Sequence, residues 1–131
     1  MLSRNYYQNN FTLLDGATEA TNAASPFLLP YRHITLALAV EDSPDLTIKF
    51  YATAKNAIPD ISQGQSHDNH FAGVQVIDLI DGSTTNGGTG FTLTAATCKN
   101  LEVNTNSISY LVAEVSGYTS GTVYLYGAAA T

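Results

Sequence analysis

Hydrophobic and polar residues alternate along much of this chain with the two-residue period of a β-strand. The sequence ITLALAV at residues 34–40 places a large aliphatic side chain at every second position and ends at the turn sequence EDSPD. A second alternating run covers residues 46–52. We expect these two strands to form a hairpin or a meander, because a short turn separates them.

Other segments extend the strand pattern. Residues 71–80, FAGVQVIDLI, are apolar almost throughout, which indicates a strand that is buried on both faces or is central in a sheet. Shorter alternating runs lie at residues 11–14, 91–95, 101–103, 108–115 and 122–126. The intervals at residues 17–26 and 57–69 show no helical stripe, so we expect long loops there.

A glycine-rich stretch, DGSTTNGGTGF at residues 81–91, raises the question of a phosphate-binding loop. Such a loop needs a helix after it and usually a lysine after its last glycine. Here the following residues, FTLTAAT, alternate as a strand does. The stretch therefore predicts a turn between two strands.

Strands and turns without helices predict an all-β protein. The expected architecture is a single-domain antiparallel β-sandwich, jelly-roll-like, with about eight strands. An immunoglobulin-type sandwich is the alternative, although the paired cysteines and core tryptophan of that fold are missing. Residues 1–31 are interpreted as an N-terminal arm with the first strand, and residues 32–131 as the remainder of the same domain.

The charge and hydrophobicity of the chain argue against some classes of binding partner. The chain has 131 residues, of which 12% are charged, with a formal net charge of −6. Its five basic residues are scattered, which argues against nucleic acid as a partner. No apolar stretch is long enough to span a membrane as a helix, so no membrane association is expected. The single cysteine, Cys98, is expected to be a buried or half-buried apolar residue.

Candidates for catalysis are few. His67 and His70 lie near Asp60 and Asp68 and are weak candidates for metal ligands. Their spacing of three suits one face of a helix, whereas this segment is predicted to be a loop. No nucleophile, zinc or phosphate motif can be assembled. We therefore expect no enzyme, no metal and no cofactor.

Tyrosine is the one enriched residue that points to recognition, with eight copies in the chain. Tyr124 and Tyr126 share one face of the last strand, and Val123 and Leu125 share the other. The tyrosine face can offer an aromatic platform to a glycan or to a protein. The alternative is that both tyrosines pack between two sheets.

Two stretches, NHFAGVQVIDLIDGSTTNGGTGFT and SISYLVAEVSGYTSGTVYLYG, carry a resemblance to a known group of proteins. Across residues 32–127 the chain resembles small β-sandwich proteins from the virions of tailed bacteriophages. Proteins of that kind decorate or cement capsid shells, often as trimers at local three-fold positions, or are accessory parts of tails and head fibres. The resemblance supplies no catalytic residues.

The resemblance implies a non-enzymatic virion structural protein, a capsid decoration or cement protein that is made in the host cytoplasm and assembled onto the particle. Its implied partners are the major capsid protein and further copies of itself, in a trimer. The N-terminal arm would then be an extended contact segment, with Arg4, Tyr6, Tyr7 and Phe11 as anchors. The alternative function is a receptor- or glycan-binding module of a phage tail or head fibre, which uses Tyr124 and Tyr126.

Overall fold

The computed structural model describes residues 8–57, 71–104 and 108–131, and within these ranges the protein is all-β and antiparallel. Nine strands are present there: β1 Gln8–Ala17, β2 Thr21–Ala24, β3 His33–Thr53, β4 Ala72–Gly73, β5 Gln75–Asp78, β6 Thr84–Asn86, β7 Phe91–Leu93, β8 Thr97–Asn104 and β9 Tyr110–Ala130. None of these residues forms a helix long and apolar enough to cross a membrane.

Two strands of 21 residues each, β3 and β9, bend and pass from one layer of the fold to the other. In β3 the bend lies at Asp42 and Ser43, whose φ angles of 63° and 54° are in the left-handed region. β9 turns beside it at Gly121, where φ is 112° and an added Cβ would lie 2.7 Å from the Cα of Pro44. Glycine is required at this position, because both the backbone angle and the close approach exclude a side chain.

When the halves of the bent strands are counted separately, the pairings define two layers. The first layer contains β1, the second half of β9, the first half of β3 and β8, and is extended by β5 and β6. The second layer contains β2, the first half of β9, the second half of β3 and β7. When β5 and β6, which extend the first layer, are set aside, the other eight of these strands, numbered along the chain, run 1-8-3-6 and 2-7-4-5, which is jelly-roll order. The predicted all-β, jelly-roll-like sandwich of about eight strands is therefore confirmed.

The core lies between the two layers. Large aliphatic and aromatic side chains from both halves of β3, such as Leu36 and Phe50, are fully buried in one cluster. Leu125 of β9 joins the same cluster. The alternation in residues 34–40 and 46–50 therefore predicted correctly which side chains face inward.

Two predictions about strand arrangement were wrong. The runs at residues 34–40 and 46–52 are not a hairpin, because they are halves of one strand and both pair with β9. Residues 17–26 are not a continuous loop, since they contain β2, which pairs with β9 from Thr21 to Ala24. All four residues of β2 are half-buried, so this strand has no alternation in the sequence by which to recognise it.

The prediction of one continuous strand over residues 71–80, buried on both faces or central in a sheet, was also wrong. The strand is interrupted at Val74, which lies between β4 and β5. β5 lies near the edge of the first layer, next to the short edge strand β6. Leu79 and Ile80 belong to the turn that follows β5 and are exposed. The glycine-rich stretch at residues 81–91 turns as predicted, although it also contains β6.

Candidate partner-binding surfaces

The outer face of the first layer carries Tyr124 and Tyr126. Their neighbours Val123 and Leu125 are buried in the core, so the prediction that the tyrosines share the opposite face is confirmed. The tyrosine rings stack with centroids 6.4 Å apart and an interplanar angle of 28°. Because Tyr126 is 41% exposed, it does not pack between the layers and is accessible to a ligand.

Carboxylates surround this tyrosine pair. The Tyr126 hydroxyl donates a hydrogen bond to Asp15 Oδ1 at 3.0 Å, and this bond is the main reason that the pKa of Tyr126 is raised. The charge of Glu41 is the main cause of the raised pKa of Tyr124, and Asp42 and Asp15 contribute further. The hydroxyl groups of both rings therefore lie in a negative electrostatic potential.

A groove of about 480 Å³ lies beside Tyr126 on this outer face. Small residues on β3 and β9, polar side chains on β1 and the half-buried Phe11 of β1 line it. We call it the tyrosine groove and define it by Tyr126, Asn10, Thr12, Thr35, Ala37 and Ala128. Strand register explains the composition, because Ala37 lies opposite Tyr126 and Thr35 lies opposite Ala128.

Phe11, which was predicted as a partner anchor, has a packing role in the structure. It is half-buried, contacts the core, and lies opposite Gly127 in the pairing of β1 with β9. A Cβ added to Gly127 would overlap the Phe11 ring, so the ring occupies the space left by the glycine. Binding of a partner by Phe11 stays a prediction.

The remaining predicted site residues lie outside the described residues. These are the arm residues Arg4, Tyr6 and Tyr7 and the histidines His67 and His70. Among the residues that the structure does describe, no group of three or more His, Cys, Asp and Glu side chains could hold a metal ion. Cys98 is exposed on β8, so the prediction of a buried or half-buried thiol was wrong.

A second surface is the turn between β5 and β6. We call residues 78–82 the apolar turn, because Leu79 is 47% exposed and Ile80 is 88% exposed. Sequence reasoning assigned both residues to a buried strand. The Asp-Gly pair at residues 81–82 was the available signal that a turn begins here.

The apolar turn is held rigidly by Asp78. Its Oδ1 accepts a hydrogen bond from the Ile80 N–H at 3.1 Å, and its backbone carbonyl accepts one from the Gly82 N–H at 2.8 Å. Its Oδ2 forms an ion pair of 3.1 Å with Lys99 Nζ, which also lies 5.8 Å from the centroid of the Phe91 ring. The turn therefore presents its two apolar side chains in a fixed arrangement.

A third surface involves the segment between β2 and β3. Phe27 and Leu29 are 36% and 47% exposed, and the Phe27 ring packs edge-on against Tyr110 with centroids 5.7 Å apart. Between them Leu28 is fully buried and its N–H donates to the Ser109 carbonyl at 2.8 Å. This patch is therefore an exposed apolar surface on an anchored segment.

Comparison with known proteins shows that solved structures share this fold. No family model matches the sequence, and no curated protein matches it. The SPBc2 prophage-derived protein YomS has a similar structure, with a TM-score of 0.72 and 14% identity over 100% of this chain and 99% of YomS. The PBSX exported protein XepA also has a TM-score of 0.72, with 15% identity over 100% of this chain and 40% of XepA. At these identities the likeness establishes a shared fold.

Proposed function

We propose that this chain is a non-enzymatic structural protein of a phage particle, which binds the capsid shell as a decoration or cement protein. The observation that carries the proposal is the match of the whole chain, with no large insertion on either side, to the fold of a prophage-derived protein. Low charge content supports it, because 12% charged residues leave much neutral surface that can be buried between proteins.

The apolar turn is the contact that we propose for the shell. Leu79 and Ile80 contribute little to the core, yet Asp78 fixes their backbone. Apolar side chains on a preorganised turn gain more binding free energy than the same side chains on a mobile loop, because less conformational entropy is lost on binding. The arm residues Arg4, Tyr6 and Tyr7 are proposed as a further contact with the major capsid protein, and self-association as a trimer is proposed with them.

A cement protein stabilises a shell by mass action. A protein that binds the assembled state and not the free subunits lowers the free energy of assembly by an amount that grows with the logarithm of its concentration over its dissociation constant. Many copies on one shell add their contributions. Location in the virion follows from this proposal.

The test is binding to empty shells or to the co-expressed major capsid protein. We expect the protein to sediment with shells and to raise their melting temperature, and light scattering of the free protein tests the trimer. The paired change Leu79→Ser with Ile80→Ser should abolish co-sedimentation and leave the fold intact. Leu29→Ser removes a leucine that is as exposed as Leu79, at 47%, from the separate patch between β2 and β3, and shows whether loss of binding is specific to the apolar turn. Unchanged shell binding by the double variant would exclude the apolar turn as the contact, and no binding by the parent protein would exclude shell decoration.

A second function is favoured by the exposed ring of Tyr126 beside a groove. In this alternative the protein is a receptor- or glycan-binding module of a tail or head fibre, and a sugar ring stacks on Tyr126. A glycan array tests it. Saturable binding that Tyr126→Ala removes would support this function, and no bound glycan would oppose it.

A further inference from the structure

The outer face of the first layer has a charge pattern that shell decoration does not explain. Asp15 on β1, Glu41 on β3 and Glu102 on β8 all lie on this face, since each is paired in register with an outward residue of the neighbouring strand. Asp42 in the adjoining bend accepts a hydrogen bond of 2.7 Å from Thr122 on the same face. Of the described residues that β1, β3, β8 and β9 place on this face, none is lysine or arginine.

The tyrosine groove lies within this negative face. Glu102 is directly opposite Thr35 of the groove, and Asp15 is hydrogen-bonded to Tyr126, which lines it. Carboxylates therefore lie on both flanks of a groove whose base consists of small side chains. Because the described strand residues of this face include carboxylates and no lysine or arginine, the face attracts cations from a partner, and the attraction increases when binding removes water from the groove.

The position of Tyr126 favours stacking. Side chains at residues 124, 126 and 128 follow one another on the same face of β9, and Tyr124 stacks against Tyr126. Ala128 lines the groove whereas Tyr124 does not, so the groove meets Tyr126 on the side away from Tyr124. One side of the Tyr126 ring is therefore covered, and the other is available to a planar group.

We propose that the tyrosine groove binds an arginine-bearing extended segment of a partner protein, with a guanidinium stacked on Tyr126 and paired with a carboxylate on one flank of the groove, either Asp15 or Glu102. A guanidinium is planar, stacks on aromatic rings and donates several hydrogen bonds in a fixed arrangement. Asp15 can accept such bonds, because a carboxylate that accepts one bond from Tyr126 retains further lone pairs. An acidic ligand is repelled, and a neutral sugar can donate hydrogen bonds to the carboxylates but gains no charge attraction.

The raised pKa values of Tyr124 and Tyr126 agree with this placement, since the negative potential that disfavours a tyrosinate favours a cation. The inference goes beyond the proposed function, because it names the chemistry of one contact and holds for a partner inside or outside the particle. Failure of shell binding would not affect it.

The test uses the full chain and a fluorescein-labelled peptide of alternating glycine and arginine, with binding followed by fluorescence anisotropy. The matched control peptide carries citrulline in place of arginine, which keeps the shape and removes the charge. We expect binding to the arginine peptide to be at least about tenfold tighter than to the citrulline peptide, and to weaken as ionic strength rises.

Variants locate the site. Tyr126→Ala and Glu102→Gln should each weaken binding by about threefold to tenfold, whereas Tyr126→Phe, which keeps the ring, should retain it. Glu102→Gln changes no core residue, so it tests the site even if Tyr126→Ala disturbs the strand. Equal binding of the citrulline peptide, or arginine binding that neither Tyr126→Ala nor Glu102→Gln weakens, would overturn the proposal. Absence of arginine binding together with a Tyr126-dependent glycan would overturn it in favour of the sugar.

Discussion

Tyr51 and Tyr126 occupy the outer faces of opposite layers, and each donates a hydrogen bond to a carboxylate. Tyr51 bonds to Glu114 Oε1 at 3.4 Å and Tyr126 bonds to Asp15 Oδ1 at 3.0 Å. Their exposures differ sharply, at 6% and 41%. Tyr51 packs against the Phe71 ring with centroids 5.5 Å apart and belongs, with Val112, to a small second core.

This difference shows that an aromatic side chain on an outer face is accessible to a ligand only where no other segment of the chain packs over it. Both tyrosines lie on strands in alternating patterns, so local sequence does not distinguish them. The chain returns over the second layer at Phe71 and buries Tyr51. Among the described residues, Tyr124 is the one aromatic ring that stacks on Tyr126, and the groove beside it is open. The second layer therefore uses its outer aromatic residue for stability, whereas the first layer leaves Tyr126 exposed.

The largest expected effect is the difference in stability between two alanine variants. Tyr51→Ala removes a buried ring from the second core and should lower the free energy of unfolding by about 3 kcal/mol. Tyr126→Ala removes an exposed ring and should cost less than about 1 kcal/mol. Urea denaturation of both variants measures the difference. Equal losses would contradict the assignment of structural and recognition roles to the two faces.

The next largest effect concerns the packing of β1 against β9, next to Tyr126. Gly127→Ala should destabilise the protein by about 1–3 kcal/mol, because the new methyl group displaces the Phe11 ring. In a Phe11→Leu background the same change should cost less, since the ring is gone. A double-mutant cycle by urea denaturation measures this coupling. If the losses of stability from the two single changes simply add in the double variant, the packing of the Phe11 ring does not depend on Gly127.

A smaller effect is expected at alkaline pH. Burial, then the charge of Glu114, raises the pKa of Tyr51 above 10.0. The folded state holds this proton more tightly than the unfolded state, so the resulting stability is present below the unfolded pKa and is lost as pH rises through the folded pKa. Tyr51→Phe should therefore flatten the decline of stability above pH about 10. An unchanged decline would show that other groups cause it.

The smallest effect is spectroscopic. Asp15→Asn removes the charge that accepts the Tyr126 hydroxyl hydrogen bond, so the pKa of Tyr126 should fall toward its ordinary value. Absorbance titration of the tyrosinate, with Tyr126→Phe to assign the signal, measures the shift. Asn22→Asp changes the charge of the second layer and is the control. It should leave the pKa of Tyr126 unchanged.

Local alternation was enough to predict the β-class, the inward faces of residues 34–40 and 46–50, and the shared face of Tyr124 and Tyr126. It could not show that β3 continues through its bend, because two strands joined by a turn and one bent strand have the same pattern. β2 was missed for a related reason, since its residues are small or polar and all half-buried.

The candidate surfaces were less predictable than the fold. Asp15, Glu41 and Glu102 come from three different strands, and only the strand register brings them onto one face beside the tyrosine pair. The apolar turn was misread because an apolar pair at a strand end resembles core sequence. Long-range pairing determines both features, and a single sequence does not reveal it.

The bent strands have a consequence for folding kinetics. β9 pairs with β1, β2 and β3, all of which precede it by long stretches of chain, so both layers depend on contacts between residues distant in sequence. Closing such long loops costs entropy before the pairs form, and folding should be slow for a protein of this size. During synthesis neither layer can be completed until β9 has been translated, so the nascent chain exposes unpaired strand edges until then.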